Sequence, residues 1–335
     1  MFYYYHIIII PIFIMAKIKH IVISGGGAAG FSFYGALKHT HERGLWNIKD
    51  LERIYSTSAG SIISVFLALD YDWKTLDDYI IKRPWNQLFK FQLPMAVQAI
   101  KNQGLFGPSV FQETFTPVFH GKNIPLDVTL ADFYEINKKE LHFITTDYNT
   151  FDYVDISYKT HPNWKVVDAI YASCSLPILF TPFYKQEEET AKMNVYLDGG
   201  IRMNYPLRVC LKDGCDPTEI LGIRRIDPVS TVNNDITPSF SLFDIMHRLF
   251  YQYARKIEIN IPETQIRYQY DIEFTCVDLN AIFTCLSTEE ERIRLIQFGV
   301  QSSLEKTLKY LELESNMNHD PDPDPDQDPE KPVIL

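Results

Sequence analysis

A serine held on a sharp turn between a strand and a helix is placed to act as a nucleophile, and the stretch Tyr55-Ser56-Thr57-Ser58-Ala59-Gly60-Ser61 offers one at Ser58. Residues 53–57 read as a short strand and 59–69 as a buried helix, which puts Ser58 on the turn between them. Such a turn pushes the hydroxyl out of the fold, beside unpaired N–H groups of the helix start whose partial positive charge favours an alkoxide or oxyanion. The alternative role for this serine is a plain N-cap. Two other stretches carry matching chemistry. Gly25-Gly26-Gly27-Ala28-Ala29-Gly30 follows an apolar strand at 18–24 and opens a helix at 31–43, and Asp198 ends a strand that Gly199 and Gly200 stop.

The elements around these residues bring them to one place. Two strand-then-helix units within the first sixty regular residues imply a parallel sheet with covering helices, and right-handed crossovers put the glycine turn and Ser58 on the same edge. Asp198, at the carboxyl end of its strand, belongs to that edge too, where open α/β sheets bind ligands. Further helices are expected at 73–83, 108–119, 166–173, 206–212 and 241–259, a hairpin at 140–147 with 151–157, and strands at 219–224 and 272–277. Ser287 and Thr288 are each followed three residues later by Glu, a capping-box signal for a last helix running to about residue 314. Residues 84–106 mix aromatics with prolines, which predicts core packing for most of these side chains and a lipid-facing rim as the alternative.

Composition narrows the function classes. The chain has 335 residues, 46% of them hydrophobic, enough for a sizeable core. A net charge of -11 without a Lys/Arg cluster argues against a nucleic-acid partner. Five cysteines with no C-x-x-C pair read as reduced thiols of an intracellular protein, and Cys210 with Cys215 makes only half of a zinc site. Residues 1–16 are an apolar N-terminal extension, too short between Phe2 and Met15 to span a bilayer and lacking signal-peptide features. It reads as a surface anchor, an extra strand, or a stretch upstream of a true start at Met15. Residues 17–314 form the folded domain, and 315–335, with their Asp-Pro repeats, a disordered acidic tail.

Two enzyme readings compete for these motifs. Gly25-x-Gly27-x-x-Gly30 fits a dinucleotide fingerprint, but the acid that would hold the ribose is missing from the end of the second strand. An α/β-hydrolase normally has several strands before its nucleophile, whereas one unit precedes Ser58, and no histidine falls in an obvious late post-strand loop.

Taken together, the three motifs resemble the patatin-like phospholipase family. Its Asp-Gly-Gly-Gly-x-Arg-Gly corresponds to Ser24 through Gly30, its Gly-x-Ser-x-Gly to Ser56 through Gly60, and its Asp-Gly-Gly to Asp198 through Gly200. Ala172-Ser173-Cys174-Ser175-Leu176-Pro177 with Phe180-Thr181-Pro182, and Asn204-x-Pro206, resemble further family blocks. The likeness covers roughly residues 17–225. Ser24, Ala29 and Ser56 depart from the pattern, and a serine at 56 would cost about a kcal/mol if that position requires positive φ.

The resemblance implies a three-layer α/β/α sandwich with a mainly parallel central sheet. It implies a serine-dependent lipid acyl hydrolase of phospholipase A type, with Ser58 as nucleophile, Asp198 as base, backbone N–H groups of Gly25, Gly26, Gly27 and Ala28 as the oxyanion hole, and an acyl-enzyme intermediate. Acyl transfer on the same dyad and a non-catalytic lipid-binding relative are the alternatives. No cofactor and no metal is called for. Membrane lipids or lipid aggregates are the implied substrates, and the implied location is the cytoplasm and the membrane surface. A dyad carboxylate is expected to work further into acid than an imidazole base.

Overall fold

Strands β1 (His20–Ile23) and β2 (Arg53–Thr57) lie side by side and parallel, and each feeds a helix, α1 (Gly30–Glu42) and α2 (Ala59–Ala68). Their side chains alternate between two cores: Ile21, Ile23 and Ile54 enter the larger, while Val22 and Tyr55 enter the smaller on the other face. The structure, a computed structural model, describes residues 17–90, 93–186, 191–227, 265–274 and 279–317, with a few positions between 245 and 256. The extension at 1–16, most of the helix expected at 241–259 and the tail from 318 lie outside the described residues.

The chain continues through α3 (Trp73–Lys82), α4 (Trp85–Leu88), α5 (Leu93–Asn102), β3 (Gly104–Phe106), α6 (Ser109–His120) and α7 (Leu130–Asn137). The hairpin β4 (Glu140–Asp147) and β5 (Tyr153–Ile156) follows, then α8 (Val166–Cys174), β6 (Ile178–Phe180), β7 (Phe183–Gln186), β8 (Met193–Asp198), α9 (Leu207–Lys212) and β9 (Ile220–Ile226). Beyond come β10 (Tyr268–Glu273), α10 (Leu279–Ser287) and α11 (Glu289–Met317).

The main sheet runs β10-β9-β1-β2-β4-β8-β7, with β5 also on β4. The neighbours from β10 to β4 are parallel, whereas β8 is antiparallel to β4 and β7 to β8. It is a mixed, mainly parallel sheet with helices on both faces, the α/β architecture expected. On the larger face, α11 is tied to α1 by Ser32 Oγ, which donates to the Leu295 carbonyl at 2.9 Å, and by His39 Nδ1, 2.9 Å from Ser303 Oγ.

Several boundaries differ from expectation for physical reasons. The strand expected at 272–277 is centred earlier, because Tyr268, Tyr270 and Ile272 are the buried positions and Gln269 and Asp271 alternate between them. Helix α10 was hidden in front of the last helix. Of the two candidate caps it is Thr288 whose hydroxyl accepts the Glu291 N–H, at 3.4 Å, so α11 starts after Thr288. Helix α7 also went unread, although Thr129 caps it by accepting the Asp132 N–H.

Candidate active site

Ser58 has φ 50° and ψ -122°, between the last residue of β2 and the first of α2. A serine in that region carries about 1–3 kcal/mol of strain and persists only where its surroundings fix it. The fixing group is Ser173, at the end of α8: its hydroxyl accepts the Ser58 N–H at 3.0 Å, donates to the Ile144 carbonyl at 2.6 Å and lies 2.9 Å from Ser61 Oγ. The Ser58 side chain makes no capping hydrogen bond, so it does not fill the N-cap role. Gly60 is required by close approach, since a Cβ there would stand 2.7 Å from the Ile23 carbonyl oxygen and 2.8 Å from that of Ser24.

Strand β4 brings Asp198 to this turn. Thr57 pairs with Ile144, and Asp198 pairs with Thr145, the next residue along the same strand. Gly199 lets the chains approach, because a Cβ at that position would lie 2.1 Å from the Ile144 carbonyl oxygen. Asp198 is only 4% exposed, and its Oδ1 accepts the Gly200 N–H at 2.7 Å. Burial pushes its carboxyl up to about 6, against hydrogen bonds from the Ser58 hydroxyl and the Gly200 N–H that favour the ionised form. A carboxyl in that range titrates where an imidazole does, which runs against the expectation that it works further into acid: burial disfavours its charged form and moves its titration out of the acid range.

The glycine turn meets the same spot: a Cβ on Gly25 would be 3.2 Å from that of Ser58. The Gly25 N–H is committed to the Asn204 carbonyl at 3.0 Å, so of the four residues expected to offer oxyanion donors it is spent. Gly26, Gly27 and Ala28 stand at the start of the 3-10 turn Gly27–Ala29, where the first N–H groups have no intrahelical partner. The three departures from the family pattern are accommodated. Ser24 is buried, its hydroxyl accepting the Arg225 N–H at 2.9 Å, and Ala29 packs in the core. Ser56 sits in β2 without positive φ, its hydroxyl 3.1 Å from the His142 carbonyl, so the strain conditional on that angle falls on Ser58 instead.

Beside Ser58 opens an apolar cavity of about 180 Å³, with Gly27 and Ala28 in its wall. Phe66, Trp85, Phe89, Phe111 and Phe180 line it, together with residues of α10. Trp85 belongs to an interior wall rather than a lipid-facing rim, buried with its Nε1 donating to the Ile80 carbonyl, while Phe89 is half-buried and stacks edge-on against Phe106 and Phe180. Phe91 lies outside the described residues. Arg292 closes this wall. Its buried guanidinium donates to the carbonyls of Ile81 (2.8 Å) and Cys285 (2.9 Å), tying the end of α3 to that of α10. Among the described residues no histidine lines the cavity.

Among the described residues, one group has the donor set for a metal ion: ligand atoms of His142, Asp155 and Asp213 lie within 4.8 Å of one another. It stands near the start of β4, away from Ser58, and its charges are already paired. His142 Nδ1 is 2.8 Å from Asp155 and its Nε2 3.1 Å from Glu140, which Lys159 also meets at 2.8 Å.

The model of the family described as patatin-like phospholipase matches residues 21–211, more than half of the chain and every motif above. The chain belongs to the patatin-like phospholipase family. Among its relatives, an uncharacterised protein, YqhO, of Bacillus subtilis is 25% identical over 83% of this chain and 94% of its own length. A probable lipid hydrolase, 463L, of Invertebrate iridescent virus 6 is 24% identical over 58% of this chain and 63% of its own. Among solved structures, VipD from Legionella pneumophila superposes with a TM-score of 0.49 at 17% identity, covering 88% of this chain and 67% of that one. The patatin match ends before α10 and α11, so the part of the cavity wall contributed by α10, which Arg292 ties to α3, lies outside the matched residues. In this patatin-like chain no helix among the described residues is long and apolar enough to cross a membrane.

Sequence reading missed Ser173 as the residue that holds the elbow, and α10 as cavity wall. The signal for Ser173 was present in the Ala-Ser block, but a serine inside a helix does not announce which backbone it will meet.

Proposed function

We propose that this chain is a serine-dependent lipid acyl hydrolase of phospholipase A type that cleaves fatty-acyl esters through a Ser58-Asp198 dyad. The observation that carries the reading is that a strained serine, a buried carboxylate with a raised pKa and unspent backbone N–H groups meet at the wall of an apolar cavity. The acyl chain enters the cavity and its carbonyl carbon comes to the Ser58 hydroxyl. Asp198 takes the hydroxyl proton as Ser58 attacks, and the N–H groups of Gly26, Gly27 and Ala28 hold the oxyanion, stronger there than in water because the cavity wall is apolar. Asp198 then returns the proton to the leaving alcohol. Water, deprotonated by Asp198, attacks the acyl-enzyme; the Ser58–acyl bond breaks as Asp198 returns that proton to the Ser58 oxygen, and the fatty acid leaves. An alcohol in place of that water would make the product a new ester, which is acyl transfer on the same dyad. The substrates are membrane lipids or lipid aggregates, and the protein meets them from the aqueous side at the bilayer surface.

An alkyl fluorophosphonate tests the reading directly. Labelling of the purified protein at Ser58, lost in Ser58→Ala and accompanied by fatty-acid release from phospholipid vesicles, is the expected result. Absence of labelling with retained binding to vesicles would leave a non-catalytic lipid-binding protein.

A further inference from the structure

At the end of the sheet opposite Ser58, two cysteines meet a guanidinium. Arg53 is the first residue of β2, and Cys215 follows the end of α9, the helix that carries Cys210. That helix closes on Gly214, at φ 78°, whose N–H donates to the Leu211 carbonyl at 3.0 Å. The Cys215 N–H donates back to the Cys210 carbonyl at 3.3 Å, a bond that keeps the two Cα atoms near the separation a disulfide spans, about 4.4–6.8 Å.

The surroundings of the two sulfurs differ. Cys215 Sγ accepts from Arg53 Nη1 at 3.4 Å and lies 3.6 Å from the oxygen of the Tyr55 hydroxyl, which itself donates to Asp213 at 2.9 Å. The Cys210 thiol leads the groups that depress the Cys215 pKa, with His20 and Tyr55 adding to it against the opposing effect of burial. Cys210 is fully buried, and its pKa is raised by the neighbouring Cys215 and by burial. The guanidinium beside Cys215 also argues against the zinc half-site, since a divalent ion on this sulfur would press against a fixed cation. Cys215 lies one layer below the surface: it is 6% exposed, while Lys212, Asp213, Gly214 and Asp216 around it are exposed. Cys174, in the cavity, is the contrast, because burial raises its pKa well above the ordinary thiol value.

We propose that Cys215 and Cys210 are a peroxide-reactive dithiol that closes to a disulfide. The Cys215 thiolate attacks one oxygen of hydrogen peroxide and the O–O bond breaks. The departing hydroxide takes up a proton as water, and Cys215 is left as a sulfenic acid. The Cys210 sulfur then attacks the Cys215 sulfur, the S–O bond breaks, and the hydroxide leaves as water with the Cys210 proton. Two thiols are oxidised and one peroxide is reduced to two waters. Arg53 donates to the attacking sulfur, and the helix-end turn holds the second sulfur in reach.

The test uses the full chain, treated with hydrogen peroxide at a small molar excess, with thiols counted after denaturation and peptides mapped by mass. The expected result is the loss of two of the five thiols, recovered on reduction, with the lost pair mapping to Cys210 and Cys215 in one chain. In Cys210→Ser the sulfenic acid has no resolving thiol, so dimedone should tag Cys215. In Cys215→Ser, Cys210 should stay reduced. The proposal is overturned if all five thiols survive, if the loss maps to Cys174, Cys276 or Cys285, or if the disulfide joins two chains. The wild-type measurement needs no variant to fold.

Discussion

The Ser173 hydroxyl accepts the backbone N–H of Ser58 at 3.0 Å and is held in that position by its own bond to the Ile144 carbonyl on β4. One buried side chain thus links the Ser58 turn to the strand that also positions Asp198. Removing it should matter to chemistry more than to substrate binding. Ser173→Ala leaves a buried N–H and a carbonyl without this partner, a cost of about 1–3 kcal/mol. It should lower kcat about ten- to a hundredfold through misplacement of Ser58, with KM for a short soluble ester little changed. Steady-state kinetics beside urea unfolding check this, and a variant that is less stable but fully active would make Ser173 a structural residue only.

The cavity predicts a chain-length effect rather than a membrane effect. Phe89 stacks on Phe106 and Phe180 inside the wall, so Phe89→Ala should weaken kcat/KM for a long-chain ester by about tenfold while sparing an acetyl ester. Because the half-buried side chain lines the cavity, a soluble long-chain ester and the same lipid in vesicles should suffer alike. A loss confined to vesicles would return Phe89 to a lipid-facing role.

Most of the positioning of this site was legible in the residues. A β-α unit ending in glycines and a second ending in Ser58 are local patterns, and parallel pairing of β1 and β2 brings their carboxyl ends together; Asp198 arrives differently from the parallel edge its sequence suggested, on β8, which runs antiparallel to β4 and ends beside Thr145. What was not legible depends on contacts distant in sequence. The Gly25 N–H is spent on Asn204, Ser173 reaches Ser58 across 115 positions, and α10 closes a cavity that begins at the glycine turn. The pKa of Asp198 belongs to the same class, since its shift comes from burial by elements that no local motif specifies. Trp85 and Phe89 were ambiguous because an aromatic run among prolines has the same composition whether it faces a cavity or a lipid.

Stability should carry a separate alkaline signature from His142. Burial disfavours its charge, yet Asp155 and Glu140 override this and raise its pKa to about 9. Burial likewise works against ionised Glu140, which His142 and Lys159 hold down to about 2. For a histidine raised above its unfolded value, near 6.5, the stabilisation is fully present below that value and lost as pH rises through about 9. Urea unfolding should therefore show a fall of up to about 3 kcal/mol between roughly pH 6 and pH 10. His142→Gln should start less stable and lose the slope. An unchanged slope in that variant would assign the titration to another group.

Asp198 ties activity and stability to pH in opposite senses. As the base it must be ionised, so kcat/KM should be flat above its value near 6 and fall about tenfold per unit below it. A histidine-dependent hydrolase would give the same limb, so the profile alone does not separate the two. Substitution does. Asp198→Asn keeps the size but cannot take a proton, so it should be nearly as inactive as Ser58→Ala, and the double variant should lose little more because the two residues act as one unit. A raised carboxyl pKa means the buried charge opposes folding above pH 6 and that this penalty fades as the group protonates toward its unfolded value. Asp198→Asn should therefore be more stable than the parent at neutral pH, by up to about 2–3 kcal/mol, and lose that advantage near roughly pH 4. Inactivity together with a pH-dependent gain in stability is the result that identifies Asp198 as the base. If Asp198→Asn keeps most of its activity and a single His→Ala change removes it, the dyad fails.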